Sequence, residues 1–136
     1  KMKARVLLDT DTLSLLRRGN ESVVRHSEDY ITTYEKLTFA ELTWYEVVRG
    51  YHATGAFRQL EAFEVFCRDC EILPLDRTAL EHAANIYADL KRRGELIGEI
   101  DILIAGTALA HGMGVATRNV AHFSRIANLH VEDWTI

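Results

Sequence analysis

The chain has 136 residues, 48% of them hydrophobic and 26% charged, a balance typical of a globular domain and not of a disordered segment. Its formal net charge of −4 excludes a uniformly basic surface that coats nucleic-acid phosphates. A local basic rim, or a site that meets phosphates through metal ions, stays open.

The sequence also predicts the number of domains and the cellular compartment. No repeat, low-complexity tract or linker interrupts it, so we expect one domain over residues 1–136. Cys67 and Cys70 are too few for a disulfide framework and predict a reducing compartment, the cytoplasm. No apolar run approaches the roughly 20 residues of a membrane span, and the N-terminus does not resemble a signal peptide. Whether Lys1 is native stays open, since Met2 could be the natural start.

Helices and strands are predicted from the spacing of apolar residues and from the residues that cap them. An apolar run that closes on Asp9 predicts a buried first strand, and Asp11 or Thr12 caps the helix that follows. In chain order, the first half predicts a strand at 5–9, a helix at 11–18, one or two helical turns at 22–27, a weaker strand at 36–40, and helices at 42–51 and 57–68.

The second half continues the alternation of strands and helices. It predicts a parallel α/β sheet, whose ligand sites gather at the carboxyl ends of the strands. Pro74 lies near the end of the third strand. The predicted elements are a strand at 71–75, a helix at 76–93 with an apolar stripe of Leu80, Ala83, Ala84, Tyr87 and Leu90, a buried central helix at 100–110, and strands at 114–117 and 130–132.

Four acidic residues stand at positions where carboxylates can carry chemistry. Asp9 ends the first strand, Asp11 follows it, and Glu46 lies on an aromatic-rich helix. Asp101 is the one charge inside the most apolar helix, where a carboxylate costs several kcal/mol unless it is paired, hydrated or bound to metal. Carboxylates brought together repel one another, and a divalent cation such as Mg²⁺ or Mn²⁺ resolves that repulsion.

Each candidate also has an ordinary structural explanation. Asp9 and Asp11 suit helix caps, Glu46 suits a solvated helix face, and Asn119 suits a turn. Asp101 suits a helix N-terminus, where backbone donors satisfy it. The functional interpretation therefore depends on their joint presence in one strand–helix order.

The histidines and cysteines predict no metal site of their own. Cys67 and Cys70 form a lone C-x-x-C that precedes a strand, whereas a redox motif usually follows one. The six histidines show no ligand spacing, although His122 lies close to Asn119.

Taken together, five sequence blocks in this order resemble the PIN-domain family and, within it, the VapC toxins of prokaryotic toxin–antitoxin pairs. The resemblance covers nearly the whole chain. The blocks are Leu7-Leu-Asp-Thr-Asp-Thr-Leu-Ser14, Thr43-Trp-Tyr-Glu-Val-Val-Arg-Gly50, Leu73-Pro-Leu-Asp76, the run from Gly94 to Gly106, and Val115-Ala-Thr-Arg-Asn119 with the segment through Trp134.

The resemblance implies a small parallel sheet flanked by helices, in three layers, and a ribonuclease that depends on Mg²⁺ or Mn²⁺. Its acidic cluster would consist of Asp9, Glu46 and Asp101, and its fourth position falls on Asn119, where Asp is common in the family. Asn keeps a carbonyl acceptor but loses the charge, which leaves one or two metals open. Glu99 would supply the missing charge if the turn before its helix were open.

Further residues receive supporting roles by the same resemblance. Thr117 and Asn119 would support the metal ligands by hydrogen bonds, and Asp11 lies beside them. Basic residues near the motifs would guide the RNA backbone, although a solvated helix end explains each of them as well. They are Arg17, Arg18, Arg49, Lys91, Arg92, Arg93, Arg118 and Arg125.

Partners follow from the resemblance too. A VapB-like antitoxin is expected to lay a C-terminal segment over the acidic groove, and DNA contact would come only through that antitoxin. A homodimer, and a larger assembly with the antitoxin, are expected. Trp44, Tyr45, Phe57 and Phe63 would line the antitoxin groove if exposed, whereas a core role is their ordinary explanation.

Two alternatives remain at this point. The Asp9-x-Asp11 pair resembles the nucleophile and acid of haloacid-dehalogenase phosphatases, but Leu13 and the short chain disagree with that family. A non-catalytic PIN-like interaction module is the second alternative, and Asn119 is the residue that supports it.

Overall fold

The computed structural model describes residues 3–136 and contains a five-stranded sheet in which every pairing is parallel. The strands are β1 (Val6–Leu8), β2 (Leu37–Ala40), β3 (Cys70–Leu73), β4 (Gly114–Ala116) and β5 (Val131–Glu132). Their order across the sheet is β3-β2-β1-β4-β5, so β1 lies at the centre. Leu8 pairs with Phe39 on one side and with Ala116 on the other, which brings the carboxyl ends of three strands together.

Helices connect the strands and cover both faces of the sheet. Asp9 caps the first helix by accepting a hydrogen bond from Thr12 N, and Asp76 caps the fifth by accepting one from Ala79 N. Over residues 3–136 the helices are α1 (Thr10–Arg17), α2 (Glu21–Tyr34), α3 (Glu41–Thr54), α4 (Phe57–Cys67), α5 (Arg77–Arg92), α6 (Glu99–Ala110) and α7 (Val120–Phe123).

The alternating side chains of the central strands divide the core into two layers. Leu7 and Val115 pack with the helices α5 and α6, whereas Val6 and Leu8 pack on the other face with Phe63 of α4. The three-layer α/β/α prediction is therefore confirmed. No helix among the described residues is long and apolar enough to cross a bilayer.

Most element boundaries differ from the sequence predictions by a few residues, α7 was not predicted, and β3 and α2 show the differences with the clearest physical reason. The third strand ends at Leu73 and excludes Pro74, because proline has no N–H to donate to a neighbouring strand. The segment predicted as one or two turns is the whole of α2, whose buried residues Val23, Ser27 and Tyr30 recur at helical spacing over a mostly polar sequence. Asn20 begins α2 by accepting a hydrogen bond from Val23 N.

The buried face of α5 is also rotated from its predicted stripe. Leu80 and Tyr87 are exposed to 44% and 42%, whereas Ala79 and Ile86 are buried. The cause lies in α6, where Gly106 is so close to α5 that a Cβ there would stand 2.6 Å from Ala79 O. Small residues must face this contact, so the larger Leu80 and Tyr87 turn outward.

Candidate active site

Asp9 is the buried centre of the site. It directly follows β1, and its side chain is only 5% exposed. One carboxylate oxygen accepts a hydrogen bond from Thr12 N at 2.9 Å and the other accepts one from Thr117 Oγ1 at 2.6 Å. Thr117 directly follows β4, so the pairing of β1 with β4 sets this contact.

An open pocket of about 660 Å³ lies at the carboxyl edge of the sheet, above Asp9. Five parts of the fold supply its polar groups: the end of β1, the helices α1 and α3, the first turn of α6 and the segment after β4. The structure thus brings the sequence-predicted Asp9, Glu46, Asp101 and Asn119 together. The lining residues are Asp9, Thr10, Asp11, Ser14, Glu46, Asp101, Arg118 and Asn119.

The carboxylates of the pocket share an unfavourable electrostatic environment. Burial is the main cause that raises the pKa of Asp9 above its ordinary range, and hydrogen bonds from Thr117 and Thr12 oppose it. Burial also raises the pKa of Asp101, and the charge of Asp9 raises it further. Negative charge here is costly, and a cation bound between Asp9 and Asp101 would offset that cost.

The donor set suits a hard divalent cation. Carboxylate, amide and hydroxyl oxygens line the pocket, and such oxygens are the ligands of Mg²⁺ and Mn²⁺. Within residues 3–136, no three His, Cys, Asp or Glu side chains are placed closely enough to hold one ion by themselves. Mg²⁺ commonly keeps several waters and takes one or two carboxylates, so Asp9 and Asp101 suffice for this mode of binding.

Comparison with known proteins identifies the family. The sequence matches the PIN domain over residues 6–129, which is most of the chain. The chain belongs to the PIN-domain family. Within that family its relatives are VapC proteins, as the resemblance predicted.

Two of the relatives illustrate an alignment with this PIN domain over almost their whole length. A protein of Salmonella typhimurium named tRNA(fMet)-specific endonuclease VapC is 31% identical, over 94% of this chain and 96% of its own. Ribonuclease VapC1 of Haemophilus influenzae is 25% identical, over 95% of this chain and 97% of its own.

Solved structures agree with the fold of this PIN domain. A chain of DNA-bound VapBC from Salmonella typhimurium superposes with a TM-score of 0.84 at 29% identity, covering 97% of this chain and 99% of that one. A chain of FitAcB from Neisseria gonorrhoeae superposes with a TM-score of 0.82 at 27% identity, covering 95% and 97%. The haloacid-dehalogenase alternative is therefore wrong.

Two threonines complete the surroundings of Glu46 in this PIN domain, and the sequence did not single them out. Thr10 donates a hydrogen bond to a carboxylate oxygen of Glu46, and its hydroxyl lies 3.1 Å from that of Thr43. Thr43 is fully buried in α3, which faces α1 across the pocket. The position of Thr10, directly after Asp9 at a strand end, is the one signal that could have found it.

Basic side chains occur at the rim of the pocket. Arg118 Nη2 lies 2.9 Å from a carboxylate oxygen of Asp11, and both side chains are about half exposed. Arg49 stands 3.9 Å from Glu46, one helical turn away on α3. These two arginines are the sequence-predicted RNA-guiding residues that the structure brings to the acidic pocket.

Other predicted residues lie elsewhere. Arg17 donates to Tyr51 Oη at 2.7 Å and its guanidinium lies 5.0 Å from the ring centre of Phe63, so it supports the packing of α1. Arg93 pairs with Asp89 at 2.8 Å at the end of α5. Arg18 and Arg92 are exposed near helix ends.

Glu99 requires a correction. It belongs to the regular helix α6, where side chains two residues apart point to different faces. Glu99 lines a separate groove with Leu80, Tyr87 and Leu103, while Asp101 faces the acidic pocket. The turn before α6 is not open in the way that the prediction required, so Glu99 does not replace the charge that Asn119 lacks.

Proposed function

We propose that this PIN domain is a metal-dependent endoribonuclease that acts as the toxin of a VapBC-type pair in the cytoplasm. The observation that carries the proposal is the pocket at the carboxyl edge of the sheet, where Asp9, Glu46 and Asp101 converge. The names of the VapC relatives give the same activity to proteins that align along nearly the whole chain.

In the proposed mechanism, Asp9 and Asp101 would hold a Mg²⁺ or Mn²⁺ ion, and Glu46 would bind it directly or through water. The ion would supply Lewis-acid activation of water and would offset charge that develops on the phosphate oxygens. Thr117 fixes the orientation of Asp9 by its 2.6 Å hydrogen bond. Thr10 holds Glu46 in place, so that this carboxylate can orient the attacking water and accept its proton.

The rim of the pocket supplies the proposed contacts to RNA. Arg118 and Arg49 are both more than half exposed and both border carboxylates of the pocket, so a phosphate group can approach them. The 2.9 Å ion pair with Asp11 orients the guanidinium group of Arg118 without substrate, whereas Arg49 lies 3.9 Å from Glu46 and over the ring of Tyr45. Asp11 therefore acts as a support for Arg118 in this account.

The proposed partner is a VapB-like antitoxin. Solved structures that resemble this chain come from VapBC complexes, some of them bound to DNA. Trp44, Tyr45 and Phe57 are exposed to 37%, 51% and 61%, so a partner can cover them, whereas Phe63 is part of the core. DNA contact through the antitoxin, a homodimer and a larger assembly remain predictions, which mass measurement in solution tests.

The proposed activity is tested by incubating the purified chain with RNA in the presence of Mg²⁺, Mn²⁺ or a chelator; initiator tRNA is a suitable first substrate. We expect cleavage with either ion and none with the chelator. Asp101→Asn should reduce the rate by about 100- to 1000-fold, the effect of removing one electrostatic group in other enzymes. Glu99→Gln removes the same charge two residues away and should leave the rate unchanged. Full activity of Asp101→Asn, or cleavage in the chelator, contradicts the proposal.

The toxin role is tested separately, in growing cells. Overproduction of the chain should stop growth, overproduction of Asp101→Asn should not, and co-expression of a cognate VapB-like antitoxin should restore growth. An active nuclease whose overproduction is harmless contradicts the toxin role. A chain that folds but cleaves no RNA supports the alternative of a non-catalytic interaction module.

A further inference from the structure

Asn119 stands at the fourth position of the acidic pocket, and its side chain is not used as a helix cap. It precedes α7, where an Asn usually accepts a hydrogen bond from a backbone N–H of the first turn. Within the described residues its side chain makes no such bond. Its backbone N–H instead donates to Thr117 Oγ1 at 2.9 Å, which ties Asn119 to the residue that holds Asp9.

The side-chain amide of Asn119 forms a hydrogen bond with His122. The Nδ2 atom of Asn119 lies 2.7 Å from Nδ1 of His122, one turn further along the chain. An amide NH₂ can only donate, so the imidazole Nδ1 must accept and the ring proton must be on Nε2. Among residues 3–136 this is the one hydrogen bond of the Asn119 side chain, and it leaves Oδ1 free on the other side of the amide.

The orientation of this amide decides what the pocket offers to a cation. With Nδ2 held by His122, Oδ1 stays available as an uncharged oxygen donor on a residue that lines the pocket together with Asp9, Glu46 and Asp101. In the opposite orientation, Oδ1 would accept from a protonated Nδ1 and the NH₂ group would face the pocket. An NH₂ group donates to carboxylates but cannot bind a cation, so the two orientations have opposite consequences.

We propose that His122 is a positioning residue that fixes the amide of Asn119 with Oδ1 toward the acidic pocket, where this oxygen binds the divalent cation or a water held by it. This inference rests on the proposed metal site and deepens it. It also explains how an Asn, which lacks the charge of an Asp, can act as an oxygen ligand at this position: the neighbouring His122 sets the direction of its amide.

The hydrogen-bond direction is tested first, without metal and without activity. Two-bond ¹H–¹⁵N NMR spectra of the metal-free chain, recorded above the titration range of histidine, report which ring nitrogen of His122 carries the proton. We expect the proton on Nε2 and an unprotonated Nδ1. A proton on Nδ1 reverses the amide and overturns the inference.

The positioning role is tested by Mn²⁺ affinity in calorimetry. His122→Ala should weaken binding by about 10- to 100-fold, as the loss of other supporting hydrogen bonds around metal ligands does. His122→Asn places an oxygen acceptor near the position of Nδ1 and should restore most of the affinity. In an Asn119→Ala background, His122→Ala should have no further effect, because there is no amide left to orient.

The outcomes separate this inference from the proposed function. Unchanged Mn²⁺ affinity of His122→Ala, or additive effects of the two alanine variants, overturns the positioning role while the metal site stands. A wild-type chain that binds no Mn²⁺ contradicts the proposed metal site itself, and the cation-facing role of Asn119 with it.

Discussion

At the scale of single residues, the site concentrates negative charge where the fold has removed water. Asp9 is buried by the start of α1, and Asp101 is half buried in the first turn of α6. Both pKa values are raised mainly by burial, so the folded chain without metal carries a cost that the unfolded chain does not. A functional role thus explains why these carboxylates are present, since selection for stability alone would replace them.

This cost predicts a pH dependence. Because the pKa of Asp101 is raised on folding, the native state binds more protons than the unfolded state above about pH 4, the ordinary pKa of Asp. The free energy of unfolding of the metal-free chain should therefore fall as the pH rises through the raised pKa values. Asp101→Asn should be more stable than the wild type at neutral pH, and the difference should shrink toward about pH 4. Urea denaturation in a chelator measures both, and an Asp101→Asn chain that is less stable at neutral pH contradicts the prediction.

Thr117 makes a second residue-level prediction. Thr117→Val keeps the shape but removes the donor to Asp9 and the acceptor of the Asn119 N–H. Leaving buried polar groups unpaired costs about 1–3 kcal/mol, so the free energy of unfolding should fall by this amount. Thr107→Val is the control, since that hydroxyl only bonds Leu103 O within its own helix. Equal losses in the free energy of unfolding for the two substitutions would show that Thr117 has no special role.

At the scale of elements, the contact between α5 and α6 sets where Asp101 lies. Gly106 allows the two helices to approach, because a Cβ at this position would stand 2.6 Å from Ala79 O and 2.9 Å from Ala83 Cβ. Backbone atoms cannot move aside as side chains do. The small residue on α6 therefore belongs to the packing that fixes α6, the helix that carries Asp101, against α5.

Gly106→Ala should accordingly lower the free energy of unfolding by about 1–3 kcal/mol, the usual cost of overpacking. Gly50 is the matched control: it lies inside α3, and an added Cβ would meet nothing within 4 Å. Gly50→Ala should raise stability by about 0.5–1 kcal/mol, since alanine favours a helix interior. Thermal unfolding compares the two variants. A Gly106→Ala variant as stable as the wild type would show that α5 and α6 have room to separate.

The elements also show what the sequence could predict. Short apolar runs between helices were enough for the parallel sheet, and Asp9, Glu46, Asp101 and Asn119 were correctly assigned to one pocket. The exposed Leu80 and the separate groove of Glu99 depend on how α5 and α6 rotate against each other, which is a tertiary contact. The length of α2 was underestimated because few of its residues are apolar, and one of its buried positions is the polar Ser27.

At the scale of the whole molecule, part of the negative charge behind the net charge of −4 is concentrated in one pocket. Asp9, Asp11, Glu46 and Asp101 line one pocket with a single arginine among the lining residues. A divalent cation would neutralise much of this cluster, so an acidic chain can act on a polyanion. Binding a ligand only to the folded state also stabilises it, by about 2.7 kcal/mol at a hundredfold excess over Kd.

The central claim is that these carboxylates hold a divalent cation, and calorimetric titration of Mn²⁺ into the metal-free chain tests it most directly. The account predicts saturable binding by the wild type and by Glu99→Gln, and an affinity lower by about tenfold or more for Asp101→Asn. Equal binding by Asp101→Asn and the wild type, or no binding by either, would contradict it.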